Sequence, residues 1–448
     1  MESLDRINSK LFATVNGLVP IQELRSLRNY FNKLNYWEAA GYIESSGMEL
    51  IHFYFKRDDP LACFCYYRDL VFIDIPIFTR EALESFQILD LIKFEEGRME
   101  NCLSRGDFKT LFYIVDKRIA LLAYEKLFNH IPDQDKYETF WFVYSRCGLG
   151  LDDFPEEYIR KIMAYRNGPL DLPGDDEYVT IYRGQGEAAS PPAQIEHSWT
   201  LDINTAIRYA VQSTGEGQVY KALIRKRDAA AYIKRKNEKE IVVFPSLLKD
   251  VVPVTLLSLA DLKPDLRLDI MDRYDYYEKQ LKTEYFYRPE GIHGIMHTRR
   301  VLLLNLIISC LQGYQERFIN ILCTAALYHD IGRINDNFDP QHGIESYRKA
   351  RQLGLINLEQ PDHAILKYII ENHCISDKLA REHLDKYNLN DRGESKFLFD
   401  TFKDADGLDR VRINDLDIRQ LRTDYGRKLL LVARQLHNDF DLFFRQKE

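Results

Sequence analysis

The adjacent pair His329-Asp330, which follows the apolar run Ala325–Tyr328, constrains the fold more than any other feature of the chain. Neighbouring residues of an α-helix point about 100° apart, so both side chains of such a pair can reach one buried ion. A single buried histidine is more often a hydrogen-bonded structural residue than a ligand. Further histidines and carboxylates in the same region therefore decide between packing and metal binding.

Four further candidate ligands lie on or beside apolar helical stretches of the same half of the chain: His297, His342, His373 and Asp406. Side chains from several helices can converge on one ion. Imidazoles combined with carboxylates suit Mn, Fe, Co, Ni or Zn, whereas Mg usually prefers oxygen ligands. The pattern predicts a helical metal site within about residues 285–430, with one or two ions. Asp404 lies two residues before Asp406 and is the alternative ligand at that position.

This order of motifs resembles the HD phosphohydrolase superfamily. The resemblance rests on HTRRV from His297, on HD at His329 and Asp330, and on ADGLDRVR from Ala405. The last stretch is similar to the ADRLHNMR stretch of RelA/SpoT-type hydrolases. The resemblance implies that His297, His329, Asp330 and Asp406 are the core metal ligands.

The additional His342 and His373 are similar to the di-metal branch of that superfamily, which includes HD-GYP and diadenosine tetraphosphate hydrolase-like proteins. The sequence has no GYP triplet, so cyclic di-GMP is not favoured as a substrate. The resemblance implies hydrolysis of a nucleotide-type phosphoester or phosphoanhydride, in which a metal lowers the pKa of bound water. Arg300 and Arg333 would then contact substrate phosphate, although either arginine could instead form a surface ion pair.

Residues 168–262 have a compact α+β pattern, which follows a Gly/Pro-rich linker at residues 168–174. The predicted elements are, in order, a strand Tyr178–Tyr182, a helix Asn204–Val211, a strand Gln218–Ile224, a helix Ala229–Lys236 and a strand Ile241–Phe244. Alternating short strands and helices of this kind predict a small domain separate from the helical C-terminal part.

Three short motifs lie on this pattern: Arg183-Gly, Ser198-Trp-Thr200 and Glu238-Lys-Glu240. Each motif alone carries little information, because Arg-Gly pairs and surface ExE motifs are common. In this order they resemble the Arg–Ser–Glu class of ADP-ribosyltransferases, which use a split β core. The tryptophan between Ser198 and Thr200 replaces the small residue that is usual there.

The second resemblance implies that NAD is a substrate and that a macromolecule accepts ADP-ribose. Glu240 would stabilise the positive charge that develops on the ribose, and Ser198 would orient Glu240. Arg183 would bind the pyrophosphate, and Glu238 would position or deprotonate the acceptor. Tyr209 would stack on nicotinamide, although an aromatic residue at helical spacing more often belongs to a core.

The length of 448 residues predicts two to four domains. We therefore predict an α+β multidomain chain with three parts. Residues 1–165 form a mostly helical region of unknown role, in which His52–Phe78 has strand-like composition. Residues 166–262 form a split-β, ADP-ribosyltransferase-like domain, and residues 265–448 form an all-α HD domain.

Composition restricts the partners and the location of the chain. The net charge of −8 does not favour nucleic acid as a partner, although the basic stretches Arg225–Arg227 and Lys234–Lys236 leave it open. The apolar stretch Val301–Leu311 is too short to cross a bilayer, so no membrane association is expected. The seven cysteines form no CxxC pair and suggest reduced thiols, which predicts a cytoplasmic protein.

These patterns together predict a bifunctional enzyme, an ADP-ribosyltransferase fused to a metal-dependent phosphohydrolase. Two alternatives stay open. In one, the HD domain binds a nucleotide without turnover and regulates the transferase. In the other, residues 168–262 form a non-catalytic binding module, and only the metal site is catalytic.

Overall fold

The computed structural model describes residues 17–26, 33–56, 64–147, 154, 156–186, 197–212, 217–234 and 238–445. The chain divides into two compact units. The first comprises Met1–Ile181, Pro192–Leu201 and Ala222–Asp250, and the second comprises Tyr182–Pro191, Asp202–Lys221 and Val251–Glu448. The predicted domain boundaries near residues 166 and 265 stay predictions.

The first unit contains a four-stranded antiparallel sheet, most of which lies within the stretch that has strand-like composition. Its strands are β1 (Leu18–Pro20), β2 (Phe53–Lys56), β3 (Phe64–Arg68) and β4 (Val71–Ile75), in the order β1-β2-β3-β4. The register pairs Phe53 with Tyr66 and Phe64 with Ile75. Aromatic and β-branched residues favour such a surface, because they pack well on a pleated sheet.

Helices make up most of the other described residues of the N-terminal region, as the sequence predicts. They are α1 (Lys33–Ser45), α2 (Arg80–Ser85), α3 (Ile88–Arg105), α4 (Phe108–Ile114), α5 (Ala120–Leu127), α6 (Asp133–Cys147) and α7 (Glu156–Met163). The Asp107 side chain caps α4 by accepting a hydrogen bond from the Thr110 backbone N–H at 3.0 Å. The core between these helices is largely aromatic and includes Phe112, Tyr124 and Phe140.

The central region contributes a second sheet, of six strands. They are β5 (Tyr178–Gly186), β6 (Ser198–Thr200), β7 (Gly217–Arg225), β8 (Ala231–Ile233), β9 (Glu240–Val242) and β10 (Lys249–Pro253), in the order β10-β7-β5-β6-β9-β8. The helix α8 (Ile203–Ala210) follows β6, and the Asp202 side chain caps it by accepting from the Thr205 backbone N–H at 3.2 Å. The predicted strands and the predicted helix Asn204–Val211 are therefore confirmed in position.

The helix predicted over Ala229–Lys236 is wrong, because the structure has the strand β8 there. Ala231 pairs with Val242, and Ile233 pairs with Glu240, in the antiparallel register of β8 and β9. Alanine favours a helix intrinsically, but tertiary context overrides that preference where the chain completes a buried ladder. The last two residues of the predicted helix lie outside the described residues.

The described residues 264–445 contain helices and no strand, as predicted for this region. The helices are α9 (Pro264–Glu278), α10 (Ile295–Leu311), α11 (Glu316–Tyr328), α12 (His342–Gln352), α13 (Asp362–Asn372), α14 (Asp377–His383), α15 (Arg392–Leu408), α16 (Asp424–Lys428) and α17 (Leu430–Asn438). Helix α10 is buried along almost its whole length and forms the centre of the core. Among the helices that the structure describes, none is both long enough and apolar enough to cross a membrane.

Candidate metal centre

Six side chains that the sequence suggests as metal ligands converge within the second unit. They come from five helices or the residues just after them: His297 on α10, His329 and Asp330 after α11, His342 at the start of α12, His373 after α13, and Asp406 on α15. The four histidines and Asp330 are each at most 5% exposed, whereas Asp406 is partly exposed. Apolar packing of the helices therefore brings polar ligands into a buried position.

The imidazole Nε2 atoms face one another in two pairs. The Nε2 atoms of His297 and His329 are 3.1 Å apart, and those of His342 and His373 are 2.9 Å apart. The Asp330 carboxylate lies between the pairs. Its Oδ1 is 3.0 Å from Nε2 of His342, and its Oδ2 is 3.5 Å from Nε2 of His297.

Protein oxygens hold the other ring nitrogen of each histidine. The Nδ1–H groups of His329 and His373 donate to the carbonyl oxygens three residues earlier, at 2.9 and 2.7 Å. His342 donates in the same way, and His297 Nδ1 is 2.7 Å from the Asp409 carboxylate. Because a carbonyl oxygen only accepts, a neutral ring held in this way directs an unprotonated Nε2 toward its neighbour. Two facing lone pairs repel each other, so these pairs fit around a cation.

The ionisation of the cluster suits cation binding. Burial, together with the nearby Arg412 guanidinium, lowers the pKa of His297 to about 4. Burial also lowers the pKa of His373 to about 4. Both rings are therefore neutral at pH 7. Burial alone would raise the pKa of Asp330, but the neighbouring His329 and the ring nitrogens that contact the carboxylate hold that pKa well below its usual range.

The donor set fits a divalent transition metal better than Mg, because imidazole nitrogens outnumber carboxylates. Among the described residues, four sets of three donor atoms each lie within 4.8 Å of one another, and two of these sets share His329. One set comprises His297, His329 and Asp406, and the other comprises His329, Asp330 and His373. This arrangement could hold one ion or two. The choice among Mn, Fe, Co, Ni and Zn stays a prediction.

Two glycines allow the close helix packing that brings the ligands together. A Cβ atom on Gly332 would lie 2.1 Å from the Ser346 backbone nitrogen, and one on Gly343 would lie 2.5 Å from the Ile370 carbonyl oxygen. Because Gly332 has no Cβ atom, α12 can pack against the segment that follows the His-Asp pair. Because Gly343 has none, α12 can pack against α13, which places His342 beside the histidine that follows α13.

The geometry distinguishes Asp406 from the alternative ligand Asp404. Asp406 Oδ1 is 3.5 Å from Nε2 of His297. Asp404 is completely buried, and its carboxylate accepts hydrogen bonds from the backbone N–H groups of Arg422 and Thr423 at 2.8 and 2.7 Å. Asp404 therefore anchors the segment before α16, and Asp406 faces the cluster.

Two residues without a role predicted from the sequence contact the proposed ligands directly. Asp409 binds Nδ1 of His297 at 2.7 Å, and His293 Nδ1 lies 2.9 Å from Oδ2 of Asp330. Asp409 belongs to the ADGLDRVR stretch, three residues after Asp406, and begins the short 3-10 helix that follows α15. His293 lies four residues before His297, in the turn that precedes α10. Their closeness along the chain to predicted ligands was the available sequence signal.

Replacing Asp409 by asparagine should weaken metal binding about 10- to 100-fold, because the carboxylate orients His297 and increases its basicity. The measurement is a metal titration of the full-length protein by competition with a chelator. Asp424→Asn, on an exposed carboxylate of α16, is the matched control and should bind metal like the wild type. Equal affinities for all three proteins would contradict the role of Asp409.

The cluster borders a cavity of about 970 Å³ that is lined by many cationic side chains. These are Arg333, Arg381, Lys396, Lys403, Arg410, Arg412, Arg419, Arg422 and Arg427. Arg333, predicted to contact phosphate, lines this cavity, and its Nε lies 3.0 Å from Oδ1 of Asp330. Arg300, predicted for the same role, instead forms a buried ion pair with Asp409. Its surroundings therefore favour a positioning role over contact with substrate.

In the central region, two of the predicted catalytic residues form a direct contact. Ser198 Oγ donates a hydrogen bond to Oε1 of Glu240 at 2.6 Å. Thr200 is paired with Glu240 across β6 and β9, and its hydroxyl donates to the Glu238 carbonyl oxygen. These residues belong to the first unit, so the sheet register fixes the Ser–Glu contact.

The other two predicted NAD-binding residues belong to the second unit. Arg183 lies on β5, and Tyr209 lies on α8 with 46% of its surface exposed. An aromatic side chain exposed to that extent is not part of the buried core. The roles predicted for both residues stay predictions.

A family model described as HD domain matches residues 294–410. Residues 294–410 are an HD domain. HD domains bind divalent metals, and this one suggests a metal-dependent phosphohydrolase. The match includes all six candidate ligands, and no family match supports the ADP-ribosyltransferase-like interpretation of residues 166–262. Comparisons with curated proteins and with solved structures gave no significant match.

Proposed function

We propose that the HD domain hydrolyses a nucleotide-type phosphoester or phosphoanhydride. The observation that supports this proposal most strongly is the inward orientation of four imidazole Nε2 atoms around the Asp330 carboxylate. Asp406 completes the proposed ligand set at the cavity side of the cluster. A bound divalent metal supplies a water of lowered pKa and polarises a phosphoryl oxygen.

The residues of the chain bind and orient the substrate in this proposal. Arg333, Lys403 and Arg412 line the cavity and hold the anionic phosphate, because guanidinium and ammonium groups donate charge-assisted hydrogen bonds to phosphate oxygens. Arg300 holds Asp409 in place through an ion pair, and Asp409 orients His297. Arg300 therefore affects the proposed metal ligand His297 indirectly, through Asp409.

The experiment that tests this function uses the full-length protein, first depleted of metal. Mn, Fe, Co, Ni or Zn is then added, and a set of nucleotides with ester and anhydride bonds is screened by chromatography of the products. The proposal expects hydrolysis of at least one nucleotide, only when a transition metal is present. Hydrolysis that is equal with and without metal, or no hydrolysis under any condition, would contradict it.

A regulatory role is the alternative for the same site. The HD domain would then bind a nucleotide tightly and release no product. The nucleotide screen separates the two functions when nucleotide binding is measured beside turnover. Metal-dependent binding without hydrolysis would favour a nucleotide sensor over an enzyme.

A second proposed activity is transfer of ADP-ribose from NAD to a macromolecule by the central region. The contact of Ser198 with Glu240 favours it, because a fixed carboxylate can stabilise the positive charge that forms on the ribose. Glu238 would act on the acceptor, and Arg183 and Tyr209 would bind NAD. The competing interpretation is a non-catalytic binding module in the same region.

Replacing Glu240 by glutamine should lower nicotinamide release from NAD about 100-fold, because the side chain keeps its shape and loses its charge. The measurement follows labelled nicotinamide with the full-length protein and a mixture of candidate acceptor proteins. Ser198→Ala should reduce the rate less, since it removes only the orientation of the carboxylate. Equal release by wild type and Glu240→Gln, or no release by the wild type, would leave the binding-module interpretation.

A further inference from the structure

An exposed phenylalanine borders the cavity beside the metal ligands. Phe338 has 87% of its surface exposed, and it lines the same cavity as His342 and His373. It lies in the segment between the His-Asp pair and α12. Single exposed apolar side chains are common on protein surfaces, so the informative observation is the position of Phe338 in the lining of this cavity.

Hydrogen bonds of the surrounding backbone hold this segment in a defined conformation. The Asn337 backbone N–H donates to the side chain of Asn335 at 2.8 Å, and the Gln341 backbone N–H donates to the side chain of Asp339 at 2.8 Å. These two turns flank Phe338 on both sides. The loop that carries the exposed Phe338 ring is therefore stabilised by its own hydrogen bonds.

One arginine connects the loop to the metal cluster. Arg333 Nη1 donates to the Asn337 carbonyl oxygen at 3.2 Å, and Arg333 Nε lies 3.0 Å from Oδ1 of Asp330. The Arg333 side chain thus links Asn337, the residue before Phe338, to the Asp330 carboxylate at the centre of the site. A ligand that contacts both ends needs a flat apolar group a short distance from an anionic group.

Nucleoside phosphates have this combination of groups. A nucleobase offers a π-face that stacks on an aromatic side chain, and its phosphate is anionic. We propose that Phe338 is the stacking platform for the base of the nucleotide substrate. This inference rests on the proposed phosphohydrolase function and adds a residue that determines specificity.

Two chromogenic esters that share a leaving group test the inference on the full-length, metal-loaded protein. Thymidine 5′-(4-nitrophenyl phosphate) carries a base, and methyl 4-nitrophenyl phosphate does not. In each, water adds to phosphorus and 4-nitrophenolate leaves. Phe338→Ala should raise KM for the thymidine ester about tenfold and leave the methyl ester unchanged, since a stacked base contributes roughly this factor.

Two further variants serve as controls. Phe338→Trp keeps an aromatic face and should retain the KM of the wild type. Ile334→Ala removes an apolar side chain that is 72% exposed in the same segment, and it should change neither ester. Equal effects of Phe338→Ala on both esters, or none on either, would overturn the stacking role.

A binding measurement tests the platform independently of hydrolysis. The fluorescence that Phe338→Trp adds to the wild-type signal should be quenched by adenosine 5′-monophosphate and not by ribose 5-phosphate. If the protein hydrolyses no ester but shows this quenching, the proposed enzyme function fails and base recognition stands. Absence of quenching by the nucleotide, or equal quenching by both ligands, would contradict the inference.

Discussion

Replacing His329 by alanine is expected to lower phosphohydrolase activity about a thousandfold or more, which corresponds to roughly 4 kcal/mol of lost transition-state stabilisation. Nε2 of His329 lies 3.1 Å from Nε2 of His297, and both belong to the set of donors that could hold one ion with Asp406. Loss of the imidazole leaves that position with too few ligands. The measurement is kcat/KM of the wild type and of His329→Ala, with the nucleotide that the screen shows to be hydrolysed fastest.

The matched control for this prediction is His130→Ala, which removes an exposed histidine of the N-terminal region. The control should retain the activity of the wild type. Circular dichroism and thermal unfolding show whether His329→Ala keeps its fold. A folded His329→Ala protein with undiminished activity would show that the cluster is not the catalytic centre.

Replacing Asp404 by alanine should destabilise the protein by about 3–5 kcal/mol, the usual result of breaking a buried charge network. The Asp404 carboxylate is completely buried and accepts hydrogen bonds from the Thr423 hydroxyl, from two backbone N–H groups and from the Arg422 guanidinium. Alanine leaves these donors without their acceptor and leaves the Arg422 charge partly uncompensated. The measurement is denaturant unfolding of the metal-free protein.

Asp406→Asn is the informative comparison for Asp404→Ala. Asp406 is partly exposed and faces the cluster, so its replacement should weaken metal binding and change the stability of the metal-free protein little. The two aspartates, two residues apart, thus have opposite expected phenotypes. Strong destabilisation by Asp406→Asn together with normal metal affinity would reverse the assignment.

The residues of the buried cluster could be predicted from sequence because their chemistry is unusual for a core. Several histidines and carboxylates recur on helices that are otherwise apolar, and packing alone rarely requires such residues in a buried position. The structure brings the six side chains of His297, His329, Asp330, His342, His373 and Asp406 together as that pattern suggests. Their role as ligands remains a proposal that metal analysis decides.

The contacts of Asp409 with His297 and with Arg300 were harder to predict from the sequence. Asp409 and Arg300 are ordinary charged residues in the sequence, and only their three-dimensional positions show that they form a buried pair against His297. The choice between Asp404 and Asp406 also required geometry, because both are aspartates on the same helix. Spacing in the sequence indicates which residues share a helix face. The structure is needed to show which other residues each side chain contacts.

The central region shows where local preference fails as a guide. The sequence predicted a helix over Ala229–Lys236, yet the pairing of β8 with β9 places Ala231–Ile233 in a strand. Sheet pairing depends on a partner strand that is distant along the chain, so a local window does not contain the deciding contact. The Ser198–Glu240 contact spans the same kind of separation, and there the order of the motifs was the useful signal.

Metal analysis of the purified full-length protein shows whether the buried histidines and aspartates hold a metal ion. The wild type is incubated in turn with Mn, Fe, Co, Ni and Zn, desalted, and analysed by mass spectrometry of the elements beside His329→Ala. We predict one or two transition-metal ions per wild-type chain and a clear loss of metal in the variant. A wild-type protein that retains none of these metals, or a folded variant that retains as much as the wild type, would contradict it.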